Sequence, residues 1–385
     1  MQNIVVVGFG PAAAIAVKAL LPSLPETHRV VVVTATEGYW PIASLRAAVV
    51  PGWEEKVIAP VDNALPLSPR VVMLKSTCVI EFKLDSVMVD KPHPELGAEI
   101  PFDYAILATG SSYPFPCRPL PGATYAETVA SLRQSQTDIA AASSILVIGG
   151  GPVGIEIAGE IASHYKGDKA KNITLVHSHD KFLHEEGWKD KFNASMEKQL
   201  KDLGVKVVLN AKVVGKFETG PVEGGEQEFK LSNGEKVKAN YVFVAHGNAP
   251  NSGIIGAFDP SLLNEHKQVK VKPSLQLAST DGKYDHIFAA GDVTDVPESK
   301  LFAHAQNHGP ILAKNLAALI KAGGPTKTAA PLKTYGAGGK MIAICIGPNG
   351  GASQFFGFFM GPWLTSFAKS KSLFLSNFDK MYSKA

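Results

Sequence analysis

The sequence predicts an α/β protein, because one pattern of buried strand, glycine-rich turn and helix occurs twice in it. Residues 4–13 read IVVVGFGPAA, and residues 145–154 read ILVIGGGPVG. In each copy an apolar run precedes the glycines, and a proline suited to the first turn of a helix follows them. We therefore expect two Rossmann-like dinucleotide-binding domains and a small C-terminal domain.

Three small residues in each copy have distinct structural reasons. The first allows a tight turn out of the strand, the second lets the backbone approach a pyrophosphate, and the third lets helix and strand pack closely. A pyrophosphate would then lie at the helix N-terminus, where free N–H groups favour anions. A glycine-rich turn without a ligand is the alternative for either copy alone. The residues are Gly8, Gly10 and Ala13 in the first copy and Gly149, Gly151 and Gly154 in the second.

The composition is that of a globular protein and argues against several kinds of function. Of 385 residues, 45% are apolar and 19% charged, and the net charge of +3 is too small to argue for a nucleic acid partner. The three cysteines, Cys78, Cys117 and Cys345, are far apart, so we expect neither a C-x-x-C redox pair nor a metal site. Scattered thiols fit a reducing compartment.

Nothing near the amino terminus predicts export or lipid attachment. The first strand begins by Asn3, which leaves no room for a secretory signal. Gln2 excludes myristoylation of a second-position glycine. No apolar run reaches the roughly 18 residues of a spanning helix. We expect a cytoplasmic protein, with any contact to the mitochondrial outer membrane, a lipid droplet or the plasma membrane being peripheral.

Further strands end at small residues, as strands do where a backbone approaches a cofactor. Residues 104–110 read YAILATG and residues 241–247 read YVFVAHG, which indicates a duplicated architecture. Residues 286–292 form another strand that ends in Gly-Asp. Helices are predicted at 184–203 and at 302–321, the second of which is ended by glycine.

The order of these elements resembles a known superfamily. The first glycine turn, Ala108-Thr109-Gly110, the second glycine turn and Ala290-Gly291-Asp292 resemble the two-dinucleotide-binding-domain flavoproteins, which are glutathione-reductase-like. Leu45-Arg46-Ala47, Glu156 and a basic-aromatic tail are similar to the apoptosis-inducing-factor-like, ferroptosis-suppressor-protein branch. The resemblance implies FAD in one domain, NADH or NADPH in the other, and an NAD(P)H:quinone oxidoreductase related to type II NADH dehydrogenases.

The prolines near 114–121 predict a crossover between domains, and 325–330 is expected to be a linker. The expected parts are an FAD-binding domain in two pieces, an NAD(P)H-binding domain between them, and a C-terminal segment facing quinone and membrane. Their boundaries are 1–120, 121–250, 251–325 and 326–385, with the two FAD-binding pieces first and third.

Roles for individual residues follow from the same resemblance. Gly8, Gly10 and Ala13 would hold the FAD pyrophosphate, and Gly149, Gly151 and Gly154 that of NAD(P)H. Arg46, Thr109 and Gly110 would lie near FAD, and Asp292 would accept a hydrogen bond from a ribityl hydroxyl. The implied catalytic residues are Glu156, near the nicotinamide, and Lys300, near the isoalloxazine or the quinone entry. Simpler interpretations stay open: a surface cation for Arg46, a helix-dipole partner for Glu156, a solvated charge for Lys300 and a turn former for Asp292.

Two departures from the family pattern affect the nucleotides. The first domain lacks the expected acid after its second strand, where Thr34, Ala35 and Thr36 stand and Glu37 is the nearest carboxylate. The second domain reads VHSHD at 176–180, without a carboxylate at the position that binds a ribose hydroxyl or an arginine placed for a 2′-phosphate. The sequence therefore leaves NADH against NADPH open.

The tail suggests a lipid-soluble electron acceptor. Residues 355–364 are densely apolar, and four lysines against one aspartate follow after residue 365. Aromatic residues beside lysines suit a peripheral contact with an anionic lipid surface. The alternative is a core strand with a domain or homodimer interface. His304 and His308 lie four residues apart, so a proton relay is conceivable beside an ordinary packing role.

Three functions compete at this point. The leading hypothesis is a quinone reductase at a membrane surface. A second keeps FAD and NAD(P)H but passes electrons to a redox protein such as a ferredoxin. A third is a slow-turnover redox-signalling protein of the apoptosis-inducing-factor type.

Overall fold

The structure is a computed structural model that describes residues 1–183, 185–324 and 331–382. The linker expected at 325–330 lies outside these residues. The helices are α1 (Pro11–Leu20), α2 (Pro41–Ala47), α3 (Tyr125–Ala141), α4 (Pro152–His164), α5 (Asp190–Asp202), α6 (Gly253–Phe258), α7 (Phe302–Ala322), α8 (Pro362–Thr365) and α9 (Leu375–Tyr382).

The strands are mostly short, as is usual for α/β proteins. In chain order they are β1 (Gln2–Val7), β2 (His28–Thr34), β3 (Gly38–Tyr39), β4 (Ile58–Ala59), β5 (Val71–Lys75), β6 (Val79–Phe82), β7 (Ser86–His93), β8 (Gly97–Pro101), β9 (Tyr104–Leu107), β10 (Ser111–Ser112), β11 (Ser144–Ile148), β12 (Asn172–Val176), β13 (Lys206–Val208), β14 (Gly220–Pro221), β15 (Gln227–Lys230), β16 (Lys236–Ala239), β17 (Tyr241–Val244), β18 (Ala249–Pro250), β19 (Ile287–Ala289), β20 (Met341–Ile346), β21 (Gly350–Phe355) and β22 (Phe358–Met360).

Five parallel strands form the sheet of the first domain, in the order β19, β9, β1, β2, β5. The central strands are runs of valine and isoleucine buried on both faces, as expected where helices or loops cover a parallel sheet. β19 follows the whole second sheet in the sequence, yet it pairs with β9 in the first sheet. The first domain is therefore completed only by residues that follow the second sheet.

The second domain repeats this arrangement. Its sheet has the order β13, β12, β11, β17, β14, of which the first four strands are parallel and β14 is antiparallel. β1 and β11 occupy the same central place. Gly8 N donates to Val33 O at 2.8 Å, and Gly149 N donates to Val176 O at 2.9 Å. The predicted α/β fold with two Rossmann-like domains is therefore confirmed.

The two predicted helices are present with different accuracy. α7 begins at Phe302 and ends before Gly323, whose φ of +82° is the left-handed conformation favoured at this position. α5 begins at Asp190 rather than near residue 184, so the prediction for this helix began too early. α7 lies close against α1, where a Cβ on Gly309 would be 2.7 Å from the Ile15 side chain.

The C-terminal residues form a small antiparallel sheet and a helical end that pack against both domains. Ile342, Ile344 and Ile346 of β20 belong to the core of the second domain. α9 packs on the first domain, where Tyr382 Oη donates to Phe9 O at 3.0 Å. Just before α9, Leu373 O accepts a hydrogen bond from Trp40 Nε1 at 2.7 Å. Within the described residues, no helix is both long and apolar enough to cross a membrane.

Candidate active site

One cavity of about 1530 Å³ lies between the two domains and is lined by both glycine turns. The turns follow β1 and β11, at the carboxyl ends of the sheets, where open parallel sheets bind ligands. Pockets for one small ligand have volumes of roughly 300–1,000 Å³. The cavity is larger than this range and has room for two extended ligands.

The second glycine of each turn is open toward this cavity. A Cβ on Gly10 or Gly151 would meet no protein atom within 4 Å, and both residues have φ angles that any amino acid adopts. Neither packing nor backbone strain therefore requires glycine here. Each glycine is the N-cap of its helix, α1 or α4, and the absence of a side chain leaves space for a ligand against the free N–H groups of that helix. Both turns thus fit a pyrophosphate.

The third small residue of each turn does not line the cavity. Ala13 is fully buried beneath the first turn. A Cβ on Gly154 would lie 1.8 Å from Gly149 O. These residues let each helix pack close to its strand, as their position in the pattern predicts, and so they position the turns without lining the cavity.

Asp292 lines the cavity beyond the end of β19. Its Oδ2 accepts a hydrogen bond from Ser111 Oγ at 2.7 Å and lies 3.5 Å from Arg118 Nη2. Its side chain is 12% exposed. A carboxylate so placed has further lone pairs for a ligand hydroxyl, which agrees with the role that the resemblance implies.

Thr109 and Gly110 line the same part of the cavity. Thr109 Oγ1 donates to Asn251 O at 2.7 Å, and Asn251 Nδ2 donates back to Thr109 O at 2.9 Å. Asn251 N also donates to Gly110 O at 2.9 Å. The threonine hydroxyl therefore joins the segment after β9 to the segment after β18.

Glu156 lines the cavity from the first turns of α4 and pairs with a C-terminal lysine. Its Oε1 lies 2.8 Å from Lys369 Nζ and accepts a hydrogen bond from Cys345 N at 3.1 Å. Burial acts to lower the pKa of Lys369, but the adjacent Glu156 carboxylate acts against this, and the pKa lies above its ordinary value. Lys369 is therefore held as a cation at the cavity wall.

Lys300 also lines the cavity, just before α7. Its Nζ donates to Thr294 O at 2.8 Å and to Val296 O at 2.9 Å. Burial lowers the pKa of Lys300, although the carboxylates of Asp292 and others act to raise it. Two backbone carbonyls hold this ammonium, which differs from the freely solvated charge considered above.

Arg46 does not line the cavity, unlike Thr109, Gly110 and Asp292, which were also expected near FAD. It is buried in α2, and its guanidinium makes two hydrogen bonds to the Glu160 carboxylate of α4, at 2.9 and 2.6 Å. It also lies over the Trp53 ring, 4.9 Å from the centroid. The alternative of a surface cation is wrong, since Arg46 is 3% exposed. It joins the two domains beneath the cavity.

The first domain presents a carboxylate at its nucleotide end, though later in the chain than the family pattern has it. Glu37 lines the cavity shortly after β2. Its Oε2 accepts a hydrogen bond from Val61 N at 2.9 Å, which fixes the side chain in place.

The second domain presents different chemistry at the corresponding end. His177 Nδ1 accepts a hydrogen bond from Gly150 N at 3.0 Å, so this side chain supports the turn. Ser178 and His179 line the cavity, together with Lys212, which follows β13. The hydrogen bond from Ala211 N to His177 O at 3.0 Å brings this lysine beside the end of β12. A carboxylate, Glu185, lines the cavity from the loop before α5.

The two histidines of α7 are buried beside the Asp292 turn and do not line the cavity. His308 Nε2 lies 2.9 Å from Glu298 Oε1, and His304 Nδ1 lies 2.8 Å from Ser299 O. Both are packed against the same carboxylate. A path for a proton to the cavity is not formed by these contacts.

The cysteines are free, and two of them are buried. Burial raises the pKa of Cys117 to about 12 and that of Cys345 to about 11. Both remain thiols at neutral pH and are poor nucleophiles in that form. Among the described residues, no group of three or more His, Cys, Asp and Glu is arranged to hold a metal ion.

Sequence reasoning missed Arg118 and Lys212 and gave Lys369 another role. Arg118 meets Asp292 across 174 residues and Lys369 meets Glu156 across 213 residues. Each is an ordinary basic residue in a loop or tail, with no motif around it. The apolar stretch that precedes Lys369 gives no signal for its inward position, because much of that stretch is exposed.

Ligands held at these two turns would share a single cavity. That arrangement is the one expected of a protein that passes electrons between two bound dinucleotides. The fold and the cavity thus define the class, a two-domain dinucleotide-binding oxidoreductase.

The chain belongs to the pyridine nucleotide-disulphide oxidoreductase family, whose profile matches residues 2–309. It is therefore an NAD(P)H-dependent flavoprotein oxidoreductase with FAD as its cofactor. The residues described above fit both dinucleotides, because the open N-cap glycines leave the space that a pyrophosphate requires.

Similar proteins place the chain within one branch of this family. It is 29% identical to apoptosis-inducing factor homolog B of Dictyostelium discoideum, over 88% of this chain and 86% of that protein. Identity to homolog A of the same organism is 30%, over 88% and 82%. Ferroptosis suppressor protein 1 of Mus musculus is 30% identical over 73% of this chain and 71% of its own length. The family resemblance seen in the sequence is confirmed.

Solved structures share the fold at low sequence identity. An NAD-dependent persulfide reductase from A. fulgidus superimposes with a TM-score of 0.69 at 17% identity, over 91% of this chain and 63% of that one. The water-forming NADH oxidase from Lactobacillus brevis, bound to NADH, gives 0.66 at 16% identity, over 92% and 75%. These proteins establish the two-domain architecture alone.

Proposed function

We propose that this flavoprotein is an NAD(P)H:quinone oxidoreductase that meets a lipid-soluble quinone at a membrane surface. One observation carries the proposal. The cavity between the glycine turns is walled by Ile342, Ala343 and Lys369, which belong to the same C-terminal part of the chain as an exposed aromatic surface. One C-terminal segment therefore contributes both to the wall of the cavity and to an exposed apolar surface.

The chain's residues bind and orient two dinucleotides. The turn at Gly8 and Gly10, with Asp292, would hold FAD, and the turn at Gly149 and Gly151 would hold NADH or NADPH. FAD supplies the chemistry of accepting two electrons as hydride and passing them to another acceptor. The protein's contribution is orientation, exclusion of water and fixed charge.

Glu156 and Lys369 would stabilise charge on a ligand in the cavity that both residues line. The Lys369 ammonium, 2.8 Å from Glu156 Oε1, supplies a fixed positive charge for an anionic oxygen or ring nitrogen in the cavity. Glu156 keeps that ammonium in place and is an acceptor for a proton at the cavity wall. The fixed position of the Lys369 ammonium depends on its contact with Glu156.

The cysteines argue against a disulfide acceptor. Disulfide exchange needs a thiolate and a partner sulfur, but Cys117, which lines the cavity, is a buried thiol with a raised pKa. No other cysteine is paired with it. An acceptor that takes electrons without a protein thiol fits this site better, and a quinone is one.

An exposed aromatic patch supports a membrane-bound acceptor. We use this name for the exposed apolar side chains of the C-terminal segment, whose exposed fractions range from 44% to 77%: Phe356, Phe358, Trp363, Leu364 and Phe367. The rings of Trp363 and Phe367 are stacked, with centroids 6.4 Å apart. Exposed apolar clusters of this kind mark contact surfaces, and aromatic side chains suit a lipid interface.

The basic part of the tail needs a correction. Lys369, counted among the lysines that would contact lipid, points inward to Glu156, and its side chain is 13% exposed. Lys371 and Lys380 are exposed, and Lys384 lies outside the described residues. Removing residues 363–385 would also remove α9 from the core of the first domain. Point substitutions are therefore the proper test of membrane contact.

The test of the reaction follows flavin absorbance under anaerobic conditions. NADH or NADPH should bleach the flavin rapidly, and a short-chain ubiquinone should then restore it rapidly. Glu156→Gln should slow the reaction by about a hundredfold, whereas Glu265→Gln, whose side chain is 87% exposed, should leave it unchanged. Fast reduction without reoxidation by quinone would contradict the quinone assignment and favour a protein acceptor.

The test of the membrane contact is co-sedimentation with anionic vesicles. Replacing Trp363 and Phe367 by serine should weaken binding by at least about tenfold, because two large apolar side chains no longer enter the lipid. Leu67→Ser is the matched control, since Leu67 is 90% exposed outside the patch. Equal sedimentation of the double variant and the parent protein would exclude the aromatic patch as the contact surface.

A further inference from the structure

A buried histidine lies directly behind the turn that carries Asp292. His308 on α7 is 1% exposed, and its Nδ1 accepts a hydrogen bond from Gly291 N at 3.0 Å. Gly291 has a φ of +76°, the left-handed region that glycine adopts readily. The next residue, Asp292, lines the cavity. His308 thus contacts the backbone that aims this carboxylate.

The contacts of His308 select one tautomer. A backbone N–H only donates, so Nδ1 must carry a lone pair. The proton of the neutral ring is then on Nε2, which lies 2.9 Å from Glu298 Oε1 and donates to it. The neutral Nε2–H form satisfies both contacts, whereas a doubly protonated ring would turn an N–H toward the N–H of Gly291.

Glu298 is itself held in place by the chain that leads to the C-terminal sheet. Its Oε2 accepts hydrogen bonds from Tyr335 Oη at 2.8 Å and from Gly338 N at 2.9 Å. Burial acts to raise the pKa of Glu298, but these hydrogen bonds and that of His308 bring the pKa below its ordinary value. The carboxylate is therefore ionised and fixed, and it orients the imidazole.

We propose that His308 is a positioning residue for FAD. In its neutral form it holds the Gly291 turn, and protonation at Nδ1 breaks that hydrogen bond, displaces Asp292 and weakens FAD binding. His308 acts through the backbone of Gly291 and does not line the cavity. The inference rests on FAD occupying the first domain and is independent of the electron acceptor, so it stands or fails separately from quinone reduction.

The pH dependence has a definite sign. Burial lowers the pKa of His308 below its ordinary value of 6.5, although Glu298 acts against this. Because only the neutral ring accepts the hydrogen bond from Gly291 N, FAD binding should weaken as the pH falls through the lowered pKa of His308. The other charged or titratable groups around the ring are Glu298 and Lys300 on the connection, His304 on the same helix and Tyr335 on the following chain.

Free FAD measured after ultrafiltration of the purified flavoprotein tests this inference. Between about pH 8 and about pH 5.5, the dissociation constant of FAD in the parent protein should rise, by at most about tenfold, because a ring of ordinary pKa is about tenfold more protonated than neutral at the lower pH. His308→Asn retains an acceptor oxygen near the Nδ1 position and does not titrate. This variant should lose most of the pH dependence.

His304→Asn is the matched control one helical turn away. Its amide still donates to Ser299 O, and His308 is left intact, so the parent pH dependence should remain. Loss of the acid dependence in this variant, with retention in His308→Asn, would overturn the inference. A parent protein that binds FAD equally at both pH values would overturn it without any variant.

Nitrogen NMR of the imidazole rings keeps the inference testable if His308→Asn fails to fold. The parent flavoprotein at neutral pH should show His308 protonated at Nε2 alone. A ring protonated at Nδ1 would contradict the proposed hydrogen bond.

Discussion

The two glycine turns share one sequence pattern, but the chain is most crowded at a different glycine in each. In the first turn, a Cβ on Gly8 would lie 2.4 Å from Ala108 O, on the neighbouring strand. In the second, a Cβ on Gly149 would lie 3.2 Å from Ala245 O. The neighbouring strand thus approaches the first turn more closely.

At the third position the order is reversed. The first turn accommodates the methyl group of Ala13, which is fully buried. In the second, a Cβ on Gly154 would lie 1.8 Å from Gly149 O. The helix therefore approaches the second turn more closely. The two turns have the same spacing of small residues but are crowded at different positions. The same substitution should therefore lower the free energy of unfolding by different amounts in the two domains.

The ends of the two nucleotide sites also differ in charge. The first domain presents the Glu37 carboxylate, fixed by Val61 N. The second presents Ser178, His179 and Lys212 at the corresponding end. An acid suits ribose hydroxyls, and a lysine suits an added phosphate. The two ends thus present different side chains to a nucleotide, although Glu185 adds a carboxylate to the second.

Breaking the buried ion pair between Arg46 and Glu160 should have the largest effect on stability. Arg46→Met leaves the Glu160 carboxylate without its partner, and this should lower the free energy of unfolding by about 4 kcal/mol. Glu160, whose pKa is already raised by burial, would take up a proton as the pH falls. The variant should therefore regain part of its stability at low pH. Urea denaturation at two pH values measures both effects.

The double variant Arg46→Met with Glu160→Met is the control, because it removes the unpaired charge as well. It should be markedly more stable than the single variant. If the two variants have equal stability, the loss comes from packing around α2 and the ion pair is not what joins the domains.

Exchanging the third small residues should affect the two turns unequally. Gly154→Ala should cost about 3 kcal/mol, because the added methyl group meets a backbone oxygen that cannot move without shifting α4 or its strand. FAD should be retained, since the first domain is unchanged, while bleaching of the flavin by NAD(P)H is lost. Thermal unfolding and anaerobic flavin reduction measure these outcomes.

The reciprocal variant Ala13→Gly should cost only about 1 kcal/mol, the ordinary difference between alanine and glycine in a helix. Similar costs for the two variants would show that the difference in crowding between the turns has no energetic consequence.

The smallest effect is expected from reversing the charge of Lys212, and it concerns the preference between NADPH and NADH. Lys212→Glu should reduce kcat/KM for NADPH about tenfold more than kcat/KM for NADH, because a carboxylate repels the 2′-phosphate and tolerates the hydroxyl. Lys216→Glu introduces the same change at an exposed lysine outside the cavity lining and should leave the ratio unchanged. An unchanged ratio for Lys212→Glu would exclude this lysine from nucleotide discrimination.

The local pattern was enough to predict the fold and the two turns. The conformation of a glycine turn after a buried strand depends on residues within about ten positions of it. Gly10 and Gly151 could therefore be assigned from the sequence. The cavity position of Asp292 followed in the same way, because a strand end in a parallel sheet determines where the next side chain lies.

Contacts between distant residues could not be predicted in this way. Arg46 was placed at FAD, but its partner Glu160 lies 114 residues away, and nothing near either residue in the sequence indicates the pair. Lys369 was counted among the lysines that contact lipid for the same reason. The pattern of a tail gives its composition, whereas the inward direction of one lysine depends on the packing of β20 and α4.

The docking of α9 has a consequence for the order in which the molecule is completed during synthesis. Tyr382 bonds the backbone beside the first glycine turn, and β19 joins the first sheet only after the second domain has been made. The second sheet, by contrast, is drawn from one continuous stretch between β11 and β17. On the ribosome, the domain that begins first is therefore finished last.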